Sequence, residues 1–379
     1  MFSPLTAAAV VCALVSLVAA GQSRPRARDL GIPFEGTPGA LNAITDVAGV
    51  EVGMTTLVAG DAVRTGVTAV LPRGKTSADP VFAGWFPLNG NGEMTGTTWI
   101  DEAGFLEGPV LITNTHSVGV VRDAYIQWAV RHGKLFQPWA LPVVAETYDG
   151  TLNDINGFHV KPEHVFSALD GAQAGPVAEG NVGGGTGMIC YGFKCGTGTS
   201  SRRLAAAAGG YTVGVLVQAN HGWTSQLRIA GVPVGAELSP PGARNDAPET
   251  DEPRSKSIII VAATDAPLMP HQLERLARRA ALGLARTGSI AGNGSGDIFI
   301  AFSTANAGAA SAAPTFQASM LSNRGITALF DAAVQATEEA IINALIAGET
   351  MTGLGGTRVA AVPHARVREI LAAYGYPRK

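Results

Sequence analysis

At 379 residues, with 46% hydrophobic and 15% charged side chains, the chain has the apolar content of a large packed core, which excludes a disordered protein. Its net charge of −3, with no run of basic residues, excludes nucleic acid as a partner. Glycine is abundant at 48 residues, and much of it falls in short clusters that read as tight turns.

The chain opens on Met1–Ala20, which holds no charged side chain, is apolar over Ala7–Ala20 and ends in the small residues Val18-Ala-Ala20. This predicts a secretory signal peptide and a secreted or periplasmic protein. No Lys or Arg precedes the apolar run, so an uncleaved anchor is the alternative, although the run is short for a bilayer. No later stretch reads as a membrane span. Of three cysteines, Cys12 lies in this leader. Cys190 and Cys195 remain, either as a disulfide of an exported protein or as two buried thiols.

Beyond the leader, Ile44–Val52 alternates in polarity and predicts strands turning at Ala48-Gly49. Gly66–Leu71 and Val110–Thr113 predict strands, and Ser117–Arg131 has helical spacing. Val143–Thr147 predicts a strand ending at the turn Tyr148-Asp-Gly150. Asn89–Gly96 and Gly180–Gly187 are glycine-rich loops, and Asn89–Gly96 and Gly183–Gly187 are candidates for the wall of a substrate pocket. The second lacks the Lys-Ser/Thr ending of a phosphate loop, and the Met188–Phe193 stretch after it reads as strand, which argues against phosphate binding. Tyr211–Gln218 is a strand running into Ala219-Asn-His-Gly222. Ser239–Ser257, with four prolines, predicts an exposed linker. Strand Ile258–Ala262 follows, then a helix from Pro267–Pro270 to Arg286. Helices over Thr327–Ala347 and Ala365–Ala373 close the chain. Strands mix with helices throughout, so the class is α/β or α+β.

The chemistry concentrates at Ala291-Gly-Asn-Gly-Ser-Gly-Asp-Ile-Phe-Ile-Ala-Phe-Ser-Thr304. Gly292, Gly294 and Gly296 permit a tight turn, and Ile298–Phe302 is a buried strand. Ser295 therefore stands where a turn meets a rigid element, a suitable mount for a nucleophile. Seven histidines are scattered without a metal motif. His159 and His164 are separated by Pro162, which argues against one helical face, and neither a metal nor a cofactor is expected.

Several stretches taken together resemble one family, the autoprocessed L-aminopeptidase/D-amidase-esterases and β-peptidyl aminopeptidases, or DmpA-like family. They are Arg28–Ile32, Gly39–Gly53, Asn181–Gly187, Gly198–Arg202, Val217–Gly222, Gly294–Ile298, Phe302–Thr304 and Ala336–Ala344. The resemblance implies a four-layer αββα sandwich similar to N-terminal-nucleophile hydrolases. It also implies a single catalytic domain over 21–379 that cuts itself between Gly294 and Ser295. The products would be an α chain, 21–294, and a β chain, 295–379, assembled as homo-oligomers of αβ units.

A serine hydroxyl needs a base, and the cut would create one, the α-amine of Ser295, with a reference pKa near 8. By the resemblance Asn220 supplies the oxyanion donor, Tyr148 lines the site and Glu146 holds the substrate's free amine. Thr337 and Glu339 stand where the family has a serine and a glutamate near the nucleophile. Positions two apart on a regular helix diverge, so both reach one site only if that segment is irregular, with Glu338 as the fallback carboxylate. The expected activity is release of an N-terminal L-α, D-α or β residue from short peptides, amides or esters through an acyl-enzyme on Ser295. Two alternatives are an acyltransferase of the ornithine acetyltransferase type and a non-enzymatic exported binding protein.

Overall fold

The computed structural model describes residues 24–239, 256–311 and 313–376; the expected leader and most of the expected Ser239–Ser257 linker lie outside the described residues. The first half of the chain supplies β1 (Glu51–Ala59), β2 (Val63–Leu71), β3 (Val81–Pro87), α1 (Thr97–Ala103), β4 (Phe105–Leu106), β5 (Val110–Asn114), α2 (Val118–Arg131), β6 (Val143–Thr147) and α3 (Pro162–Asp170). A ribbon of β7 (Ile189–Cys190) and β8 (Phe193–Lys194) precedes β9 (Thr197–Arg203), β10 (Thr212–Asn220) and α4 (Val234–Leu238). Then come β11 (Ser257–Thr264), α5 (Pro270–Arg286), β12 (Ile298–Ser303) and α6 (Thr327–Ile346). A second ribbon, β13 (Met351–Thr352) with β14 (Arg358–Val359), leads to α7 (His364–Ala373).

Two sheets result, a smaller one ordered β1-β2-β5-β6 and a larger one ordered β4-β3-β12-β11-β10-β9. Most neighbours are antiparallel. The two parallel pairs, β5 with β6 and β11 with β12, are those joined through α2 and α5, because a parallel return needs a crossover.

Strand alternation builds the layers. In β12, Ile298, Ile300 and Phe302 fill the space between the sheets with Val70, Ile112 and Val143. Phe299 and Ala301 lie on the other face, in one cluster with Leu273, Leu276, Leu329 and Ala336 of α5 and α6. Successive strand residues face opposite ways, so an unbroken apolar run suits a strand covered on both sides. The outer face of the smaller sheet packs Val67, Leu111 and Val144 against Trp128 of α2 and Leu169 of α3. Helices, sheet, sheet, helices is the four-layer αββα order expected from the sequence.

Two local expectations are corrected, and a third holds. Ile44–Asp46 is a 3-10 turn rather than a strand. The Asp46 carboxylate accepts from the amides of Leu41 at 2.9 Å and Ala43 at 3.1 Å, a local bonding pattern that outcompetes a ladder. Met188–Phe193 is a hairpin whose turn residues Tyr191 and Gly192 have φ of 52° and 78°, and Cys190 and Cys195 form a disulfide beside it. Pro162 begins α3, since the first helical position needs no N–H, so His159 lies outside that helix and shares no helical face with His164, as expected.

Gly183–Gly187 is buried between the sheets. The amides of Gly183 and Gly184 donate to the Thr56 and Thr68 hydroxyls at 2.9 and 3.1 Å, so they are spent on packing. The expected pocket-wall role of these glycines is therefore also corrected.

Candidate active site

Strand register brings the site to one end of the larger sheet. Ser295 leads into β12 and bridges Lys256 at the head of β11. The next residue on β11, Ser257, pairs with Asn220 at the end of β10. From the smaller sheet, the end of β6 closes over the same place, with Asn220 Nδ2 donating to the Tyr148 carbonyl at 2.9 Å. Ser295, Asn220, Tyr148 and Glu146 are thus gathered by four strand ends, although they lie far apart in sequence.

Ser295 is buried, with 4% of its surface exposed. Its hydroxyl donates to Asp297 Oδ1 at 2.6 Å. Asp297 also accepts from the Ile258 amide at 3.1 Å and from Asn89 Nδ2 at 3.3 Å. Burial pushes this carboxyl up to about 6, with Ser295, Ile258 and Asn89 partly offsetting the shift. Asp297, Asn89 and Asn91 were not singled out from the sequence. A signal for Asp297 was present, because positions two apart at the start of a strand share a face.

The loop after β3 forms a wall, as expected for Asn89–Gly96. Asn91 donates from its backbone to the Ser295 carbonyl at 3.1 Å and from Nδ2 to the Gly294 carbonyl at 3.0 Å. This seating needs two glycines in contact. A Cβ on Gly296 would lie 2.4 Å from Asn91 O and 2.6 Å from Gly92 Cα. A Cβ on Gly92 would lie 2.9 Å from Gly296 Cα and 3.2 Å from Glu146 Oε1. Gly92 is therefore the joint between the serine turn and the Glu146 carboxylate.

Glu146 accepts from the Glu93 amide at 3.1 Å and from the Thr115 hydroxyl. Burial raises its pKa, against the lowering effect of those two donors. A buried carboxylate held only by neutral donors is suited to pairing with an incoming ammonium group.

Asn220 is held at both ends of its amide. Oδ1 accepts from the Ile189 amide at 2.9 Å, and the Tyr148 carbonyl uses one of the two Nδ2 protons. An amide nitrogen carries two protons, so one donor remains for a substrate oxygen. Tyr148 is half-buried beside Gly150. The adjacent His221 is unsuited to act as a base. Burial, with Lys256 adding, lowers its pKa to about 3, and neither ring nitrogen has a hydrogen-bond partner.

Thr337 and Glu339 are not brought to Ser295, and that expectation is corrected. α6 is a regular helix through both, so the two side chains diverge. Thr337 packs under Gly283 of α5, where an added Cβ would come within 2.6 Å of its own, and its buried hydroxyl makes no hydrogen bond. Glu339 accepts from Arg28 at 2.7 Å, Arg202 at 2.7 Å and Asn42 at 2.6 Å. Arg202 pairs with Val213 at the far end of β10 from Asn220, roughly 20 Å away at ~3.3 Å per strand residue. Glu338 pairs with Arg286 at 3.1 Å, away from the serine turn. Among the described residues no group of three or more His, Cys, Asp or Glu could hold a metal ion, and no helix is long and apolar enough to cross a membrane.

A serine at the head of a central strand, with an amide donor and a buried carboxylate at the same strand ends of an αββα sandwich, defines a hydrolase of the N-terminal-nucleophile layout. The chain belongs to peptidase family S58, whose model matches residues 42–359. It is 55% identical over 387 residues to the β-peptidyl aminopeptidase BapA of Sphingosinicella microcystinivorans, covering 97% of this chain and 96% of that protein. A solved Burkholderia sp. β-aminopeptidase superposes with a TM-score of 0.85 at 51% identity, over 93% of this chain and 99% of the other. The L-aminopeptidase D-Ala-esterase/amidase of Ochrobactrum anthropi, described as a prototype of the serine aminopeptidases and a variant of the Ntn-hydrolase fold, superposes at 0.84 with 49% identity over 93% and 99%. The protein is a serine aminopeptidase.

Proposed function

We propose that the chain is an exported β-peptidyl aminopeptidase, made as a precursor that cuts itself between Gly294 and Ser295 and then assembles as αβ units. The observation that carries this reading is the gathering of Ser295, the spare Asn220 Nδ2 proton and the Glu146 carboxylate at one sheet end. After the cut, the Ser295 α-amine takes the hydroxyl proton as Oγ attacks the substrate carbonyl. Asn220 holds the developing oxyanion, and the leaving amine takes the proton. Water then hydrolyses the ester, with the α-amine again as base. Glu146 fixes the substrate's own ammonium group, which restricts the enzyme to chain ends, and Tyr148 lines the cleft.

Preference for a β residue is supported by the identity to β-peptidyl aminopeptidases over almost the whole chain. Export is supported by the uncharged leader. The test weighs the mature chain and Ser295→Ala by intact-mass spectrometry and assays both on amides of L-alanine, D-alanine and β-homoalanine. We expect two wild-type fragments, the second beginning at Ser295, an intact and inactive variant, and the highest kcat/KM on the β-homoalanine amide. A wild-type chain that stays whole yet hydrolyses these amides removes the mechanism. A preference for L-alanine removes the β assignment alone.

A further inference from the structure

We propose that Thr115 is the positioning residue of the substrate-amine site: its hydroxyl aims the Glu146 carboxylate, keeps it ionised, and so sets how tightly the enzyme grips the free end of its substrate. This rests on the reading of Glu146 above as the group that receives the substrate's ammonium, and it does not depend on self-cleavage.

Strand register puts the two residues side by side. β5 and β6 run parallel and pair Thr113 with Glu146 and Asn114 with Thr147. Thr115 stands one step further, where β5 gives way to the 3-10 turn Thr115–Ser117 and then to α2. Asn114 is still extended, with φ −91° and ψ 165°, so Thr115 keeps to the face of Thr113 and Glu146. Asn114 lies on the opposite face, where its amide donates to the Thr65 hydroxyl at 2.8 Å and to Asp149 at 3.1 Å. On the other side of Thr115, the His116 ring stacks on Phe158, with centroids 6.1 Å apart and planes inclined by 21°. The turn is therefore braced before and after Thr115.

Glu146 is 3% exposed, and each of its oxygens has one donor. Oε1 accepts from the Glu93 amide at 3.1 Å and Oε2 from the Thr115 hydroxyl. A carboxylate oxygen carries two lone pairs, so both can still receive an ammonium proton. Burial favours the neutral acid, which would not hold a cation. Of the effects that oppose burial, the Thr115 hydrogen bond is the largest and the Glu93 amide comes next. Two charges also act on the group, the Glu93 carboxylate raising its pKa and His116 lowering it, each by less than Thr115 does.

The substrate ammonium pairs with the ionised form alone. Loss of the hydroxyl thus acts twice. The carboxyl pKa rises, so fewer sites are ionised at a given pH, and Oε2 is no longer tied to the turn. The ammonium is held in the ground state and the transition state alike, so the loss falls on KM and spares kcat. Because the pKa moves up, the acid limb of kcat/KM moves to higher pH.

The test measures kcat and KM against pH, on whichever of the three amides above the wild type cleaves fastest. At pH 7 Thr115→Val should raise KM at least about 10-fold and leave kcat within about 2-fold, with the acid limb of kcat/KM displaced upward. Thr115→Ser, which keeps the hydroxyl, should restore both the KM and the limb. The upward displacement should persist when Thr115→Val is made in a His116→Gln background, which excludes the charge of His116 as its source. In a Glu146→Gln background Thr115→Val should change kcat/KM by less than about 2-fold, since no carboxylate is left to aim. Equal losses in the wild-type and Glu146→Gln backgrounds would show a merely structural role and remove the proposal. If Thr115→Val does not fold, Thr115→Ala at this half-buried turn position carries the same readouts. A raised KM in Glu146→Gln beside a wild-type KM and pH profile in the Thr115 variants removes Thr115 alone. A wild-type KM in Glu146→Gln removes Glu146 as the amine site, and Thr115 with it.

Discussion

The two ends of the larger sheet each bury carboxylates, and they treat them in opposite ways. At the far end, burial raises the pKa of Glu339, but Arg28 and Arg202 outweigh it and the net shift is downward. At the Ser295 end, Asp297 and Glu146 meet only hydroxyl and amide donors, and burial leaves both raised. Glu179 is the intermediate case. It pairs with Arg26 at 2.7 Å, yet burial still raises it to about 7, with Glu339 adding repulsion. One guanidinium does not offset the desolvation of a deeply buried carboxylate here, whereas two do. A carboxylate with two arginines is a strut, locked in one charge state. A carboxylate held by neutral donors can exchange a proton or accept an incoming cation, which is what chemistry requires.

The largest expected effect breaks the strut. Glu339→Ala strands Arg202, which is 1% exposed, and should cost about 3–5 kcal/mol of stability, read as a lower thermal midpoint or loss of soluble protein. Whatever folds should retain the wild-type kcat. A stable Glu339→Ala enzyme with a kcat reduced a hundredfold would instead return Glu339 to the catalytic groups and overturn the contrast.

Next in size is Asn220→Ala at the opposite end. Loss of an oxyanion donor typically costs about 10²–10³ in kcat, and KM should change little. The disulfide sharpens this test. Asn220 Oδ1 is held by Ile189 in the hairpin beside the Cys190–Cys195 bond, so reducing that bond should lower kcat through the same donor. Reduction of the Asn220→Ala variant should then have no further effect on kcat. If the two losses multiply, the hairpin does not act through Asn220.

The layers were legible in the sequence because apolar periodicity records burial. Ile298–Phe302 and the α5 and α6 segments needed no further information. The polar strand β9, Thr197–Arg203, was missed although it is buried except at its last residue. Its hydroxyls disappear into bonds such as Ser200 Oγ to the Ala336 carbonyl at 2.6 Å, and composition carries no trace of such a partner. The site was legible in part for the same reason. Ser295, Asn220, Tyr148 and Glu146 stand at strand ends that pattern and resemblance mark. Thr337 and Glu339 stand two positions apart in one motif, but helix geometry sends them to different neighbours. Asn89 and Asn91 were visible only as a glycine-rich loop, because what they touch lies some two hundred residues away.

The smallest expected effect extends the contrast to a carboxylate outside the catalytic groups. Asp149 follows Tyr148 and is wholly buried. It accepts from Asn114 Nδ2 and Asn153 Nδ2, both at 3.1 Å, and has no arginine. Burial raises its pKa from 3.8 to about 6, against those donors and Thr65. A carboxyl whose folded pKa lies above its unfolded value stabilises the fold fully at low pH, and that contribution is lost as pH rises through the folded value. Asparagine does not titrate, so the stability gap between wild type and Asp149→Asn should narrow as pH rises. Between pH 5 and 8 the narrowing should be about 1–2 kcal/mol, measured by urea unfolding of both chains at each pH. Other titrating groups are common to both chains and cancel where they lie far from the site. A gap that is constant, or that widens with pH, would mean that Asp149 is already ionised at pH 5. Neutral donors would then suffice to hold a buried carboxylate charged, and the distinction between the two ends of the sheet could not rest on arginine.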